Sequence, residues 1–220
     1  MFMNCFMNLF EERLEMNRKA FDAVKNNCTE NMSEKDIKAI ILKAWNKPDM
    51  EFSGDVCADG RIDGDATDYL IVKGNTLILD LQPGDDGCFA DTTRTFFAGE
   101  PTSEQKHAYK AVLYALKRME CILATHPKSN EVYNIMQEAL GEYGYSCPHH
   151  AGHALGKEKY MEPALVYECD SQLEEGMIIA LEPGVYMDGW GIRLENNYLL
   201  TADGIKELFN YPLEIENFII

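Results

Sequence analysis

Apolar residues recur at helical spacing over 8–26, where Phe10, Leu14, Phe21 and Val24 mark one face and predict a first helix. Ser33-Glu34-Lys35-Asp36 has the form of a capping box and opens a second. Its face is Ile37, Ile40, Ile41, Ala44 and Trp45, with Trp45 as core, and Pro48 ends it. Residues 50–75, rich in glycine and aspartate, predict loops and short strands, Tyr69-Leu70-Ile71-Val72 among them. The period then changes to that of strands. Residues 77–96 read as two apolar strands around Gly84-Asp85-Asp86-Gly87, the composition of a tight hairpin. A long helix is predicted over 103–125, with Ala108, Val112, Ala115, Leu116, Met119, Ile122 and Leu123 as its stripe. Ser129 is predicted to cap a fourth helix that turns Val132, Ile135, Met136, Ala139 and Leu140 inward and ends at Gly141 or Gly144. An irregular run follows, and a second hairpin folds about Asp188-Gly189, the strongest hairpin signal in the chain.

Helix, capped helix, irregular run and hairpin thus occur twice. No residue-level repeat is visible, so the repetition is read from element order alone. It predicts an α+β architecture of two similar halves, about 1–101 and 102–220. Their curved, mostly antiparallel sheets join, with helices on the outer side. A single domain over 1–220 is the expectation.

Each hairpin carries two acids. A fold-back between Asp85 and Asp86 would set Asp80 opposite Asp91, and a turn at Asp188-Gly189 sets Glu182 opposite Glu195. Like charges facing across a ladder weaken it, so such pairs imply a cation between them, and hard divalent metals take oxygen ligands of this kind. Asp59-Gly60-Arg61-Ile62-Asp63-Gly64-Asp65 lacks the spacing and closing glutamate of an EF-hand, so calcium is not predicted there.

Composition narrows the class. The 220 residues, 46% apolar and 26% charged, are ordinary for a soluble globular protein. A net charge of −17 argues against nucleic acid and anionic membrane as partners. The seven cysteines are scattered with no C-x-x-C, which suits reduced thiols in a cytoplasm. The apolar start is short and lacks a basic leader, and no run reaches the length of a membrane span.

Four carboxylates can hold two divalent ions that bind and deprotonate a water and polarise the carbonyl it attacks. His153, in the glycine-flanked loop Gly152-His153-Ala154-Leu155-Gly156, is the best imidazole to complete the set. Three histidines within five residues (His149, His150 and His153) favour function over structure, whereas His107 and His126 read as structural. The ligands suit manganese first, with cobalt, zinc or iron as alternatives.

Four strings together resemble the pita-bread metallopeptidases. They are Leu79-Asp80-Leu81 through Asp91-Thr92-Thr93-Arg94-Thr95-Phe96, His149-His150-Ala151-Gly152-His153-Ala154-Leu155-Gly156, Leu181-Glu182-Pro183-Gly184-Val185-Tyr186 and Gly191-Ile192-Arg193-Leu194-Glu195. The Thr-Arg-Thr-Phe string and the short gap to the last glutamate resemble the Xaa-Pro branch of prolidase and Xaa-Pro aminopeptidase. The resemblance implies the pita-bread fold, a dinuclear site and a single catalytic domain over 1–220 without the N-terminal accessory domain of prolidase-like relatives. Asp80 would bind one metal, Asp91 and Glu195 would bridge, and His153 and Glu182 would bind the other. It also implies that Glu182 takes and returns the proton of the attacking water, that His149 steadies the tetrahedral oxyanion, and that His150 and Arg193 stand behind the ligands or against substrate. Two family histidines are missing: the upstream loop reads Arg61-Ile62-Asp63-Gly64-Asp65, and Tyr160 fills the slot seven residues after His153.

The function so implied is an Xaa-Pro aminopeptidase or dipeptidase acting on short peptides, with a homodimer compatible with it. Two alternatives stay open at this point: a non-catalytic peptide-binding module of the same fold, and a metallohydrolase of a non-peptide amide.

Overall fold

The computed structural model describes residues 2–85 and 87–220; Met1 and Asp86, the latter predicted at a hairpin tip, lie outside the described residues. Helix α1 (Phe2–Asn27) runs longer than its apolar period suggests and buries Phe10, Leu14, Phe21 and Val24. Helix α2 (Glu34–Trp45) packs against it and starts at the predicted box: the Ser33 hydroxyl accepts from the Asp36 amide, and the Asp36 carboxylate accepts from the Ser33 amide. Strands β1 (Gly54–Cys57), β2 (Thr76–Leu81), β3 (Gly84–Asp85), β4 (Cys88–Phe89) and β5 (Thr92–Phe97) complete the first half.

The second half repeats the plan. Helices α3 (Ser103–Leu123) and α4 (Ser129–Gly141) pack together, and β6 (Gly152–Leu155), β7 (Met161–Ala164), β8 (Ile178–Leu181), β9 (Gly184–Met187), β10 (Trp190–Arg193), β11 (Asn196–Thr201) and β12 (Gly204–Glu207) follow. Ser129 is not the cap. Lys128 takes that place, and Ser129, as the first helical residue, turns inward so that its hydroxyl donates to the Cys169 carbonyl at 2.6 Å. The orphan amide of Lys128 is satisfied by Glu131 instead, at 2.7 Å. Among the described residues the strands form two larger antiparallel sheets, ordered β1-β2-β5 and β12-β11-β8-β6-β7, and two two-stranded ones, β9-β10 and β3-β4.

The halves are related in backbone detail. Gly54 pairs with Leu81, and Gly152 pairs with Leu181. Both glycines have positive φ, +128° and +146°, and a Cβ would fall 2.0 Å from the Asp80 carbonyl oxygen in one case and 1.9 Å from that of Ala180 in the other. Only glycine lets the strands approach so closely. Leu81 also pairs with Thr92, and Leu181 with Asn196. By this correspondence Asp55 occupies the place of His153, Gln82 that of Glu182, and Asp91 that of Glu195.

One register differs from the expectation. Asp80 pairs with Thr93, not Asp91, and the same register continues through Gly84 with Phe89. The strands extend past the predicted turn into β3 and β4, which shifts the pairing by two residues. Since side chains alternate with a period of two, Asp80 and Asp91 stay on one face, as diagonal neighbours. The second hairpin has its predicted register: Trp190 pairs with Met187, Arg193 with Gly184, and Asn196 with Leu181, which sets Glu182 across from Glu195.

Arg94 fastens the two halves. It is fully buried, and its guanidinium donates to the carbonyls of Thr93, Glu195, Pro212 and Tyr211 and to the Asn196 side chain, at 2.8–3.2 Å. Among the described residues no carboxylate pairs with it, and burial lowers its pKa to about 10. Thr95 adds a reciprocal pair, its hydroxyl donating to the Arg193 carbonyl and accepting from the Arg193 amide. Arg94→Met would leave several buried carbonyls without donors, a loss of about 3 kcal/mol or more and a Tm lower by roughly 6–12 °C. Thermal unfolding checks this, and a Tm within about 2 °C of wild type contradicts it.

Candidate metal centre

A cleft of about 600 Å³ opens where the halves meet, and Asp80, Asp91, His149, His150, His153, Glu182 and Arg193 line it. Asp80 comes from β2, Asp91 from just before β5, Glu182 from the end of β8 and Glu195 from the break between β10 and β11. The breaks matter. At Glu182 and Glu195 the backbone leaves its hairpin partner: the Glu182 amide donates to Ala151 and the Glu195 amide to Thr93. Asp91 is held in the matching way, its amide donating to the Asn197 side chain and its carbonyl accepting from the same residue. Each half thus fixes the acid of the other.

These acids are buried and incompletely partnered. Asp80 takes a hydrogen bond from Arg193 on Oδ2 at 2.7 Å, and Glu195 takes one from Thr93 on Oε2 at 2.7 Å. Asp80 Oδ1, Asp91 Oδ1 and Glu195 Oε1 are buried with no partner among the described residues. A buried ionised oxygen without a partner is costly. Burial accordingly pushes the Asp91 carboxyl well up, and the charges of Glu195, Asp80 and Glu182 push it further. Burial, then Glu182 and Asp80, does the same to Glu195.

His153 lies in strand β6, not in a loop, because Gly152 lets that strand pair closely with β8. Its Nδ1–H donates to the Ala154 carbonyl at 2.9 Å. That leaves the Nε2 lone pair facing Asp91 Oδ2 at 3.5 Å and Glu182 Oε1 at 3.7 Å. Burial lowers the His153 pKa, so the ring is neutral. A neutral nitrogen lone pair aimed at two carboxylate oxygens suits a cation between them, with the backbone carbonyl fixing the tautomer behind. Ligand atoms of Asp91, His153 and Glu195 lie within 4.8 Å of one another. The residues fit a divalent ion.

The other histidines differ. His149 Nδ1–H donates to the His150 carbonyl at 2.8 Å, and Nε2 lies 2.8 Å from the Tyr186 hydroxyl. That hydroxyl already accepts from Arg193 Nη1 at 2.8 Å, so its one proton goes to His149 Nε2. Both ring nitrogens of His149 are therefore committed inside the protein. His150 places Nδ1 3.1 Å from Glu182 Oε1. Burial works against charge on that ring, but the Glu182 contact outweighs it and raises the pKa. Burial likewise acts upward on Glu182, yet the hydrogen bond from His150, with the charge of that ring next, holds it at about 2.

Arg193 spends its donors on four partners: Asp80, Tyr186, the Ile62 carbonyl and, weakly, Thr93. It orients Asp80 and ties down the loop that lines the cleft. Arg61 does not replace the missing upstream imidazole, since it points away, into Glu34 and Asp59. Tyr160, 43% exposed, stacks on His153 with ring centres 4.5 Å apart. His107 and His126 lie outside the cleft, near the carbonyls of Tyr143 and Gly204.

Two participants escaped the sequence reading. Asp55 directly faces Asp80 across β1 and β2, and burial, with Asp80 next, raises its pKa to about 6. Its strand has only four residues in a glycine- and aspartate-rich stretch, too short for a visible alternation. Tyr186 links His149 to Arg193, and the only signal for it was an inward position two residues past Gly184.

A model of metallopeptidase family M24 matches residues 8–202. The Xaa-Pro dipeptidase of Pyrococcus furiosus is 30% identical over 218 residues, covering 95% of this chain and 63% of that protein. The structure resembles X-Pro aminopeptidase from Thermotoga maritima, with a TM-score of 0.89 and 28% identity over 96% of this chain and 62% of that one. Prolidase from Pyrococcus furiosus gives 0.86 and 29% over 93% and 64%. The chain thus spans a little under two thirds of the length of these relatives, and it shares their pita-bread fold. Among the described residues, no helix is long and apolar enough to cross a membrane. With its matched span, its fold and its converging acids, the chain belongs to metallopeptidase family M24.

Proposed function

We propose that this chain is a dinuclear metal-dependent peptidase that removes an N-terminal residue standing before proline in a dipeptide or short peptide. The observation that carries the reading is the set of three buried carboxylate oxygens without partners, beside the inward lone pair of His153. Asp80, Asp91 and Glu195 would hold one ion, and Asp91, His153, Glu182 and Glu195 the other, with manganese the first candidate and cobalt, zinc or iron as alternatives. Ions bound there acidify a water and polarise the scissile carbonyl. The protein supplies the rest. Glu182, kept ionised by its hydrogen bond from His150, is placed to take a proton at a carboxylate oxygen and return it to the leaving amine. Arg193 holds Asp80, and the chain from Arg193 through Tyr186 fixes the His149 ring. The Xaa-Pro dipeptidase and prolidase names of the relatives support the substrate class. The committed donors of Arg61 and the exposed Tyr160 favour a second reading, a peptide-binding module without turnover.

Hydrolysis of a panel of Xaa-Pro and Met-Ala-type peptides by manganese-loaded protein separates the two. Cleavage before proline is expected, and Asp91→Asn with Glu195→Gln should lower kcat at least ~10³-fold with loss of bound metal. Peptide binding without cleavage by fully loaded wild type would support the module.

The metal-free protein has its own signature. Asp55, Asp91 and Glu195 have raised folded pKa values, so the native state holds protons that the unfolded chain releases above about pH 4. Stability from these groups is present at low pH and lost as pH rises, through about 6 for Asp55 and through the raised values of the other two. Chelator-treated protein should therefore lose Tm between pH 5 and 8 by roughly 5–10 °C, and added manganese should restore it while releasing protons. A flat Tm profile without metal, or metal uptake without proton release, would count against the site.

A further inference from the structure

The cleft is acidic on most sides, with Asp55, Asp63, Asp65, Asp80, Asp91 and Glu182 in its lining. Its cations are fewer and mostly committed. Arg193 is buried and bonds Asp80, Tyr186 and the Ile62 carbonyl. His150 turns its Nδ1 edge to Glu182 at 3.1 Å. Lys159 is different. It stands between β6 and β7 and reaches across to the other half, where its Nζ donates to the Ser53 hydroxyl at 3.5 Å. Among the described residues no carboxylate pairs with it. Ser53 in turn donates its hydroxyl proton to Gln82 Oε1 at 3.3 Å, and the backbone amide of Gln82 donates to the Ser53 carbonyl at 3.1 Å. The side-chain N–H₂ of Gln82 and the Tyr160 hydroxyl line the same cleft and make no hydrogen bond among the described residues. One corner of an acidic cleft thus holds an ammonium without a counter-charge, with neutral donors beside it.

We propose that Lys159 determines substrate length: its ammonium binds the terminal carboxylate of a dipeptide's second residue and so selects dipeptides over longer peptides. This rests on the peptidase reading above. Tyr160, next in the chain, lies with its ring centre 4.5 Å from that of His153, so Lys159 stands beside the imidazole end of the site. In a dipeptide the carboxylate is only two bonds from the scissile nitrogen, so it stays in the cleft while the carbonyl is attacked. Asp55, Asp63 and Asp65, the lining acids outside the proposed ligand set, repel it there. An ammonium with a neutral donor beside it satisfies both carboxylate oxygens, and hydrogen bonds to an ionised partner are the stronger kind. In a longer peptide the same position is a neutral amide, which gains little from the ammonium and is not repelled by the acids. The sign of the preference therefore turns on one charge: with it the cleft favours the acid, and without it the amide.

Lys159→Met keeps the length of the stem and removes the charge, whereas Lys159→Arg keeps the charge. The dipeptide Ala-Pro and its C-terminal amide form the test pair for manganese-loaded protein. Wild type should favour the acid about 10-fold in kcat/KM, with the difference in KM and kcat alike for the two within about threefold. Lys159→Met should bring that ratio to about 1 or below, and Lys159→Arg should keep it. Calorimetry with proline and prolinamide reads the same corner without turnover. Wild type should bind proline about 10-fold more tightly than prolinamide, and Lys159→Met should lose that margin at unchanged metal content per chain. Three results overturn the proposal alone: equal handling of acid and amide by wild type, an acid preference that survives Lys159→Met, or equal losses on both peptides in that variant. An acid preference lost in Gln82→Leu or Tyr160→Phe but kept in Lys159→Met would also overturn it, and assign the carboxylate to that neighbour. Wild type that cleaves neither peptide would overturn the peptidase reading instead, and the proline margin then decides the part of Lys159 separately.

Discussion

Mutual repulsion among buried carboxylates is the constraint around which the structure is arranged. Asp80, Asp91, Glu182 and Glu195 are each at least nine-tenths buried, and the one guanidinium among them, Arg193, bonds only Asp80. Such a cluster is unfavourable in a low-dielectric site unless a counter-charge joins it. The backbone around it is correspondingly over-determined. Arg94 gathers carbonyls from both halves, Asn197 grips Asp91 at two points, and the Glu195 amide reaches Thr93. The scaffold is stiff where the charges are most strained.

The pseudo-symmetry of the halves explains how such a site can be built and how it departs from symmetry. Gly54 and Gly152 make the same close approach to the opposite strand, and Asp91 and Glu195 occupy equivalent places just past it. Beyond those, the halves diverge in chemistry on one backbone. Asp55 stands where His153 stands, and Gln82 where Glu182 stands. One half therefore offers oxygen donors alone and the other adds imidazole, so the two ion positions proposed above would differ in ligand type. Ligand softness and geometry then allow different preferences at each.

Much of this was legible from residue order. Helical periodicity located all four helices, and the Ser33 box was read correctly because capping chemistry is local. The Asp188-Gly189 turn set its register because the turn type leaves little choice. The first hairpin misled by two residues: its glycine- and aspartate-rich tip admits more than one fold-back, and only the extension into β3 and β4 decides among them. The slip did no harm to the pairing of acids, since an even shift keeps the face. Ser129 was mistaken for a cap because a helix-start serine and a first-turn serine look alike until the Cys169 carbonyl is brought near. Asp55 was invisible for a similar reason, since its partner lies 25 residues away across a loop with no periodic signal. Long-range hydrogen bonds, such as that from Tyr186 to His149, leave no trace in spacing.

The account stands on the claim that these acids hold a pair of divalent ions. Anomalous diffraction from crystals of manganese-loaded protein tests it directly. Two peaks about 3.5–4 Å apart are predicted, one among Asp80, Asp91 and Glu195 and the other among Asp91, His153, Glu182 and Glu195. A single peak, or none at saturating manganese, would contradict it.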